Sequence, residues 1–178
     1  MESVKILDKE FAIYLSEEEI QKKIKVLSEQ INTEYEGEEP IFLGILNGSF
    51  MFASDLYKNI TLRSKISFLK LASYQGTQSQ GEAKQLIGLN EDIKDKIVFI
   101  IEDIVDTGNT LESIIQQLSV HNPKAIKLIS LLFKPQSYKK KIPIDYYCFS
   151  IDNDFIIGYG LDYNGYGRNL KQVYKIIK

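Results

Sequence analysis

The chain has 178 residues, of which 44% are hydrophobic and 26% are charged, a balance typical of a folded domain rather than a disordered chain. Its net charge of −2 provides no positive field to attract nucleic acid or a membrane surface. The single cysteine, Cys148, excludes an internal disulfide, and the single histidine, His121, argues against a histidine-rich metal site or a Ser-His-Asp triad. No apolar run approaches the roughly 20 residues of a membrane span. We therefore expect one soluble, cytoplasmic domain over 1–178, without a membrane or nucleic-acid partner.

The first predicted element is a helix that begins after Ser16. Ser16 and Glu19 have the spacing of a capping box, in which each side chain bonds the other residue's backbone amide. Apolar residues then recur at helical spacing: Ile20, Ile24, Leu27 and Ile31.

Short continuous apolar runs predict buried strands at 41–46, 97–101 and 126–133, with a weaker candidate at 146–149. Between the second and third runs, one face of an amphipathic helix carries Leu111, Ile114, Ile115 and Leu118. This alternation predicts an α/β fold with a twisted, mostly parallel sheet and helices on both faces. Ligands of such sheets bind beyond the carboxyl ends of the strands.

The region 64–90 has a different pattern, with two predicted strands around a polar stretch, 73–84, that contains Gly76 and Gly81. Long connections without secondary structure are often lids over active sites. Composition alone leaves a lid and a plain solvated loop as equal alternatives.

The richest segment is 98–110, where a buried strand leads into Glu102, Asp103 and Asp106 and then into a Thr-Gly-Asn-Thr run. Hydroxyls, a glycine and free amides at a helix start suit a phosphate. Adjacent carboxylates are compatible with a phosphate if they accept hydrogen bonds from sugar hydroxyls while a divalent cation offsets the remaining charge. A solvated acidic turn is the alternative. The chain contains no Gly-x-x-x-x-Gly-Lys-Ser/Thr phosphate loop.

Glu102 to Thr110 resembles the ribose-phosphate signature of the type I phosphoribosyltransferases, and the likeness from Phe11 to Tyr174 narrows to the hypoxanthine-guanine branch. The resemblance implies that Glu102 and Asp103 bind the ribose hydroxyls of phosphoribosyl pyrophosphate. It makes Asp106 the general acid/base at purine N7. It also assigns the 5-phosphate to Asp106 and the residues after it: Thr107, Gly108, Asn109 and Thr110.

Three further segments match the family. The turn with Asn47 and Gly48 resembles its pyrophosphate loop, although the family commonly has lysine where Asn47 stands. Ser73 and Tyr74 resemble the start of its catalytic lid, which favours the lid alternative. Lys134, after the third buried run, would donate to the exocyclic O6 of a 6-oxopurine. A surface lysine is the alternative without the resemblance.

The last match covers 154–168. The resemblance implies that Phe155 stacks on the base and that the Ile156 backbone bonds its edge. Asp162 would hold Mg²⁺ near the pyrophosphate, together with Glu102 and Asp103, and Arg168 would bind the pyrophosphate with its bidentate fork.

These matches predict transfer of phosphoribose from phosphoribosyl pyrophosphate to N9 of hypoxanthine or guanine, with Mg²⁺ as cofactor. We expect a small hood built from about 1–15 and 146–178, and a homodimer or homotetramer as is usual in the family. Two alternatives stay open. One is an RNA-binding regulator on the same fold, and the other is an enzyme for another base such as xanthine or adenine, of which Lys134 disfavours adenine.

Overall fold

The computed structural model describes residues 3–73 and 84–177. In chain order its elements are β1 (Ser3–Ile6), β2 (Lys9–Leu15), α1 (Glu17–Glu34), β3 (Ile41–Leu46), α2 (Phe50–Tyr57), β4 (Lys65–Ser73), β5 (Lys84–Ile87), β6 (Ile97–Val105), α3 (Asn109–Ser119), β7 (Ala125–Phe133), β8 (Tyr146–Ser150), β9 (Ile156–Ile157) and β10 (Val173–Ile176). Among these, no helix is both long and apolar enough to cross a membrane.

The main sheet has six strands in the order β5-β4-β3-β6-β7-β8. Neighbours from β4 to β8 pair in parallel, and only the edge strand β5 runs antiparallel, against β4. The predicted mostly parallel sheet is confirmed. In this order β3, β6 and β7 are adjacent, so the loops after their carboxyl ends lie side by side.

Alternation along the central strands separates two apolar layers. In β6, Phe99 and Ile101 face the layer that contains α1 and α2, whereas Val98 and Ile100 face the layer with α3. Both sides of these strands are therefore buried, which explains why their sequences read as continuous apolar runs. The predicted helices on both faces are confirmed.

Helix α1 begins as predicted. The Ser16 hydroxyl accepts from the Glu19 amide, and the Glu19 carboxylate accepts from the Ser16 amide at 2.9 Å, which completes the capping box. Its buried face consists of the four predicted residues together with Ser28.

A second, four-stranded sheet, in the order β1-β2-β10-β9, forms the hood. Its small core centres on Phe11, Ile157 and Tyr174, while Tyr159 and Val173 pack into the α1 layer of the main domain. The predicted hood boundary at 146 is wrong, because β8 pairs in parallel with β7 as the edge strand of the main sheet.

Two further features differ from the sequence-based expectation. Strand β6 does not end before Glu102, because its pairing with β7 continues to Val105. Helix α2 and the hood strands were not predicted. The two predicted strands are present as the antiparallel pair β4–β5. The segment between them, 74–83, including Tyr74, lies outside the described residues. Ser73 is the last residue of β4, and the lid assignment stays a prediction.

Candidate active site at the carboxyl ends of the parallel strands

A cavity of about 290 Å³ opens where β6 leads into α3. It is lined by residues 102–108, Thr110 and Leu111, so all of the predicted ribose-phosphate segment except Asn109 contributes to its wall. This is the carboxyl edge of the parallel strands, the position that the topology favours for ligand binding.

The two adjacent carboxylates at this edge are poorly solvated. Glu102 is only 7% exposed, and its burial, together with the charge of Asp103, raises its pKa well above the ordinary range. Burial also raises the pKa of Asp103 to about 6, although the Ile104 amide donates to its Oδ1 at 2.9 Å. Desolvation is the dominant cause for both groups, so a ligand that donates hydrogen bonds or positive charge here would relieve it.

The loop after β6 has the shape of an anion cradle. Gly108 is the N-cap residue of α3 with a φ of +85°, a conformation that glycine adopts without strain, and it offers no side chain to cap the helix. The amides of the first turn are therefore not capped by that residue, at the positive end of the helix dipole. Thr107, Asn109 and Thr110 are exposed around this turn.

Asp106 and Lys134 meet at the mouth of the cavity. The Lys134 ammonium lies 3.5 Å from Asp106 Oδ2, and the lysine side chain is 10% exposed against 46% for the aspartate. Lys134 directly follows β7, and its amide donates to the Val105 carbonyl at 2.9 Å, which fixes the end of β7 against the end of β6. The surface-lysine alternative is wrong, because a lysine this buried is held by its partner and not by water.

The turn after β3 packs tightly against the Asp103 carboxylate. The Leu46–Asn47 peptide is cis. A Cβ at Gly48 would lie 1.6 Å from Asp103 Oδ2, and a Cβ at Gly160 would lie 2.0 Å from the Gly48 carbonyl oxygen. Only glycine fits at either position, and the two contacts bring β3, β6 and the hood together at one point.

The hood contributes an ion pair to the same point. Arg168 donates through Nη1 to the Gly160 carbonyl at 2.7 Å, and its Nη2 lies 2.5 Å from Asp162 Oδ1. Asp162 Oδ2 also accepts from the Gly165 amide at 2.6 Å. The charges of Arg168 and Asp162 reach Asp103 and shift its pKa in opposite directions, smaller effects than its burial.

Phe155 and Ile156 lie in the hood. The Phe155 ring is 46% exposed and packs edge-on against Tyr163, with centroids 5.8 Å apart. Ile156 is buried in β9, where its backbone pairs with Lys175 of β10. The structure thus joins the residues from β3, β6, β7 and the 160–168 turn through direct contacts, whereas Phe155 and Ile156 are connected to them through the hood strands.

The family model of the phosphoribosyl transferase domain matches residues 12–164. The chain belongs to this family. The chain is 41% identical over 162 residues to the hypoxanthine-guanine phosphoribosyltransferase of Lactococcus lactis, an alignment that covers 90% of this chain and 88% of that protein. The family and the fold predicted from the sequence are confirmed.

A crystal structure of a hypoxanthine-guanine phosphoribosyltransferase from Bacillus anthracis superposes with a TM-score of 0.85 at 35% identity, covering 93% of this chain and 98% of that one. The chain is also 38% identical to the bifunctional protein TilS/HprT of Listeria monocytogenes over 162 residues, 90% of this chain. The aligned part of the chain covers 25% of the length of that relative.

The described residues of the chain include no group of three or more Asp, Glu, His or Cys side chains arranged to hold a metal. Mg²⁺ usually takes one or two carboxylates and completes its shell with water and substrate phosphates. Glu102 and Asp103, two desolvated acidic groups beside a phosphate cradle, fit that kind of site. Asp162 fits it less directly, because both of its oxygens are already bonded, to Arg168 and to Gly165.

Sequence reasoning missed several residues that shape this site. The Gly-x-Gly pattern around Gly160 was a local signal of close backbone approach, and the structure shows that approach. Tyr138 and Lys140, which pack against Gly108, had no such signal, because the contact joins the segment after β7 to the loop after β6.

Proposed function

We propose that this phosphoribosyltransferase transfers the 5-phosphoribosyl group from phosphoribosyl pyrophosphate to N9 of hypoxanthine or guanine, releasing pyrophosphate. The observation that carries the proposal is the buried Glu102 and the partly buried Asp103 beside the start of α3, whose N-cap residue makes no side-chain cap bond, with Lys134 at the end of the next strand. This arrangement offers acceptors for a diol, amides for a phosphate and a cation for an exocyclic oxygen, all at one edge of the sheet.

In this proposal, Glu102 and Asp103 accept hydrogen bonds from the ribose hydroxyls. The amides of 107–110 and the threonine hydroxyls in that loop bind the 5-phosphate. The ligand then supplies hydrogen bonds to two carboxyl groups that are poorly solvated in the free protein, where desolvation raises their pKa values. The sugar is thereby positioned with little rearrangement, which lowers the entropic part of the barrier.

At the base, Lys134 donates to O6, and Asp106 holds or removes a proton at N7. Their ion pair at 3.5 Å keeps both groups near the place where the base edge would lie. A 6-amino group has no acceptor for the Lys134 ammonium, so the pair favours 6-oxopurines over adenine. Phe155 would stack on the base from the hood, and the Ile156 backbone would bond its edge.

The pyrophosphate would bind at the turn after β3. The amides around Gly48 supply donors, and Arg168 would exchange Asp162 for a pyrophosphate oxygen. Asn47 contributes no charge there, so Arg168 carries the cationic part of the contact. Mg²⁺, held by Glu102 and Asp103 with Asp162 nearby, would neutralise the departing pyrophosphate. The homodimer or homotetramer and the cytoplasmic location stay predictions.

A purine panel tests the proposal. Purified protein is assayed with phosphoribosyl pyrophosphate and hypoxanthine, guanine, xanthine or adenine, with and without Mg²⁺. We expect turnover with hypoxanthine or guanine only when Mg²⁺ is present. Turnover with xanthine alone would move the assignment to that base, and no turnover with any purine would refute the activity. Salt-sensitive RNA binding without turnover would instead support the regulator alternative.

A variant pair sharpens the panel. Lys134→Met keeps the length of the side chain and removes its ammonium, so we expect kcat/KM for the 6-oxopurine to fall roughly 100-fold, about 3 kcal/mol for a lost charged hydrogen bond. Lys141→Met makes the same chemical change at an exposed position on the segment after Lys134 and should leave the ratio between purines unchanged.

A further inference from the structure

We propose that residues 137–142, here called the clasp, hold the loop 106–110 in its anion-binding shape, and that Tyr138 and Lys140 are positioning residues for the 5-phosphate. The inference rests on the proposed function and extends it to a segment that touches the phosphate loop from outside the cavity. No residue of the clasp lines the cavity itself.

The clasp presses on the loop at its glycine. A Cβ at Gly108 would lie 2.6 Å from Tyr138 Cε2 and 2.8 Å from Lys140 Cγ, so the ring and the lysine stem occupy the space that a side chain would need. The Lys139 amide donates to the Thr107 carbonyl at 3.3 Å. Two consecutive residues of the loop are therefore held by three consecutive residues of the clasp.

The clasp is itself anchored. The Tyr138 hydroxyl donates to the Ile142 carbonyl at 2.6 Å, which closes the segment on itself. The Tyr138 ring packs edge-on against Phe133 of β7, with centroids 5.5 Å apart. Its amide donates to the Lys134 carbonyl at 3.2 Å. The loop thus rests on a support that is continuous with the sheet.

The clasp also balances a charge that would oppose a phosphate. Glu112 lies in the first turn of α3, where its amide donates to the Gly108 carbonyl at 3.0 Å. Its carboxylate is paired with the Lys140 ammonium at 2.6 Å. Without that partner, a free carboxylate would stand beside the helix end that binds the anion, and it would weaken the attraction that the helix dipole supplies. Lys140 therefore acts on the phosphate through Glu112 and Gly108.

The chain from Lys134 into the clasp connects the residues proposed for the two ends of the substrate. Lys134, proposed to bind the base, and Lys140, which packs on the phosphate loop, are six residues apart. The Lys134 carbonyl accepts from both the Ser137 and the Tyr138 amides at 3.2 Å, so the connection is a tight turn.

The test compares a nucleotide with its nucleoside. Calorimetry measures the Kd of IMP and of inosine for wild-type protein, Lys140→Met, Tyr138→Leu and the double variant Lys140→Met/Glu112→Gln. We expect Lys140→Met to weaken IMP roughly fivefold, the size of one charge at a helix end, and to leave inosine unchanged. The double variant should recover most of that loss, because the unpaired carboxylate is gone. Tyr138→Leu should also weaken IMP and spare inosine.

Lys141→Met is the matched control, an exposed lysine on the same segment, and should change neither Kd. If Lys140→Met changes IMP and inosine binding by the same factor, or changes neither, the positioning role is refuted while the activity stands. If wild-type protein does not prefer IMP to inosine at all, the proposed function fails and the clasp assignment fails with it. Thermal unfolding of each variant separates these results from a loss of folded protein.

Discussion

The two edges of the main sheet differ in the solvation and pairing of their acidic side chains. At the amino edge, a cavity of about 550 Å³ is lined by the end of α1 and the loops before β3 and β4, almost twice the volume of the cavity at the carboxyl edge. Two of its acidic groups, Glu38 and Glu39, are solvent-accessible and form ion pairs. Glu39 lies 3.2 Å from Arg63 and 3.6 Å from Lys96, and Glu38 lies 2.6 Å from Lys124.

The cavity at the carboxyl edge is smaller, and its acidic groups are poorly solvated. Glu102 is buried and Asp103 beside it is partly buried, and desolvation raises the pKa of each. Volume therefore does not identify the functional edge of this fold. Desolvated charge without full compensation identifies that edge, because such charge does not help the chain to fold and is typical of functional sites.

The largest expected effect is on the chemistry of Asp106. Asp106→Asn keeps the size of the side chain and removes the base, so we expect kcat to fall roughly 100-fold or more, the usual contribution of general acid/base catalysis. Steady-state kinetics with phosphoribosyl pyrophosphate and the preferred purine measure it. Glu39→Gln is the matched change at the amino edge and should leave kcat unaltered. An Asp106→Asn enzyme with wild-type turnover would remove Asp106 from the mechanism.

The second prediction concerns the free energy of unfolding, which desolvation of the ionised Asp103 lowers. Its folded pKa of about 6 exceeds its ordinary value of 3.8, so between these values the folded state binds more protons than the unfolded state. Stability contributed by this group is therefore fully present below about pH 4 and is lost as the pH rises through 6. Asp103→Asn should remove that loss and stabilise the protein at pH 7 by up to about 3 kcal/mol.

Urea unfolding at pH 7 and at pH 4 checks this prediction. The gain should appear at pH 7 and vanish at pH 4, while affinity for phosphoribosyl pyrophosphate falls because the ribose hydroxyls lose an ionised acceptor. Glu39→Gln, at an exposed carboxylate, should show no such pH-dependent gain. A destabilised Asp103→Asn protein at pH 7 would show that the ionised group is compensated in the fold.

The central strands and the ribose-phosphate segment were predictable because their signals are local. Burial on both faces makes β3, β6 and β7 continuous apolar runs, and the acidic residues near the end of β6 form one unbroken string with the Thr-Gly run after it. Helix α2 was missed because its eight residues, 50–57, are largely apolar and follow a turn directly, so no polar face marks them as helical.

The hood and the clasp were beyond local reasoning for another reason. Strand β9 has two residues, and it exists only through its pairing with β10, sixteen residues further along. The end of β6 at Val105 depends on pairing with β7, and the position of Lys140 depends on a contact with Gly108. Such features arise from tertiary pairing that periodicity does not encode.

The third prediction concerns a hydrogen bond between the hood and α2, in which Asp55 is better compensated than Asp103. The buried Tyr159 hydroxyl donates to Asp55 Oδ2 at 2.5 Å and ties the 158–160 turn to α2. Tyr159→Phe should cost about 1–2 kcal/mol of stability, because a charged hydrogen bond is lost while Asp55 keeps Gln21 and Lys58. Chemical unfolding measures it. Tyr163→Phe removes a solvent-exposed bond to Asp8 and should cost less. Equal costs would contradict the role of burial.

The smallest effect is expected at the amino edge, from one of the two arginines in the chain. Arg63 is 89% exposed and pairs with Glu39, whereas Arg168 is 28% exposed and bonds both Asp162 and Gly160. Arg63→Met should change stability by less than about 0.5 kcal/mol, since exposed ion pairs contribute little. It should also leave the KM for phosphoribosyl pyrophosphate unchanged. Arg168→Met should raise that KM, because the pyrophosphate loses its guanidinium. An equal rise in KM for Arg63→Met would mean that the larger cavity at the amino edge belongs to the substrate site. Paired charge at the amino edge and desolvated charge at the carboxyl edge would then no longer distinguish the two edges.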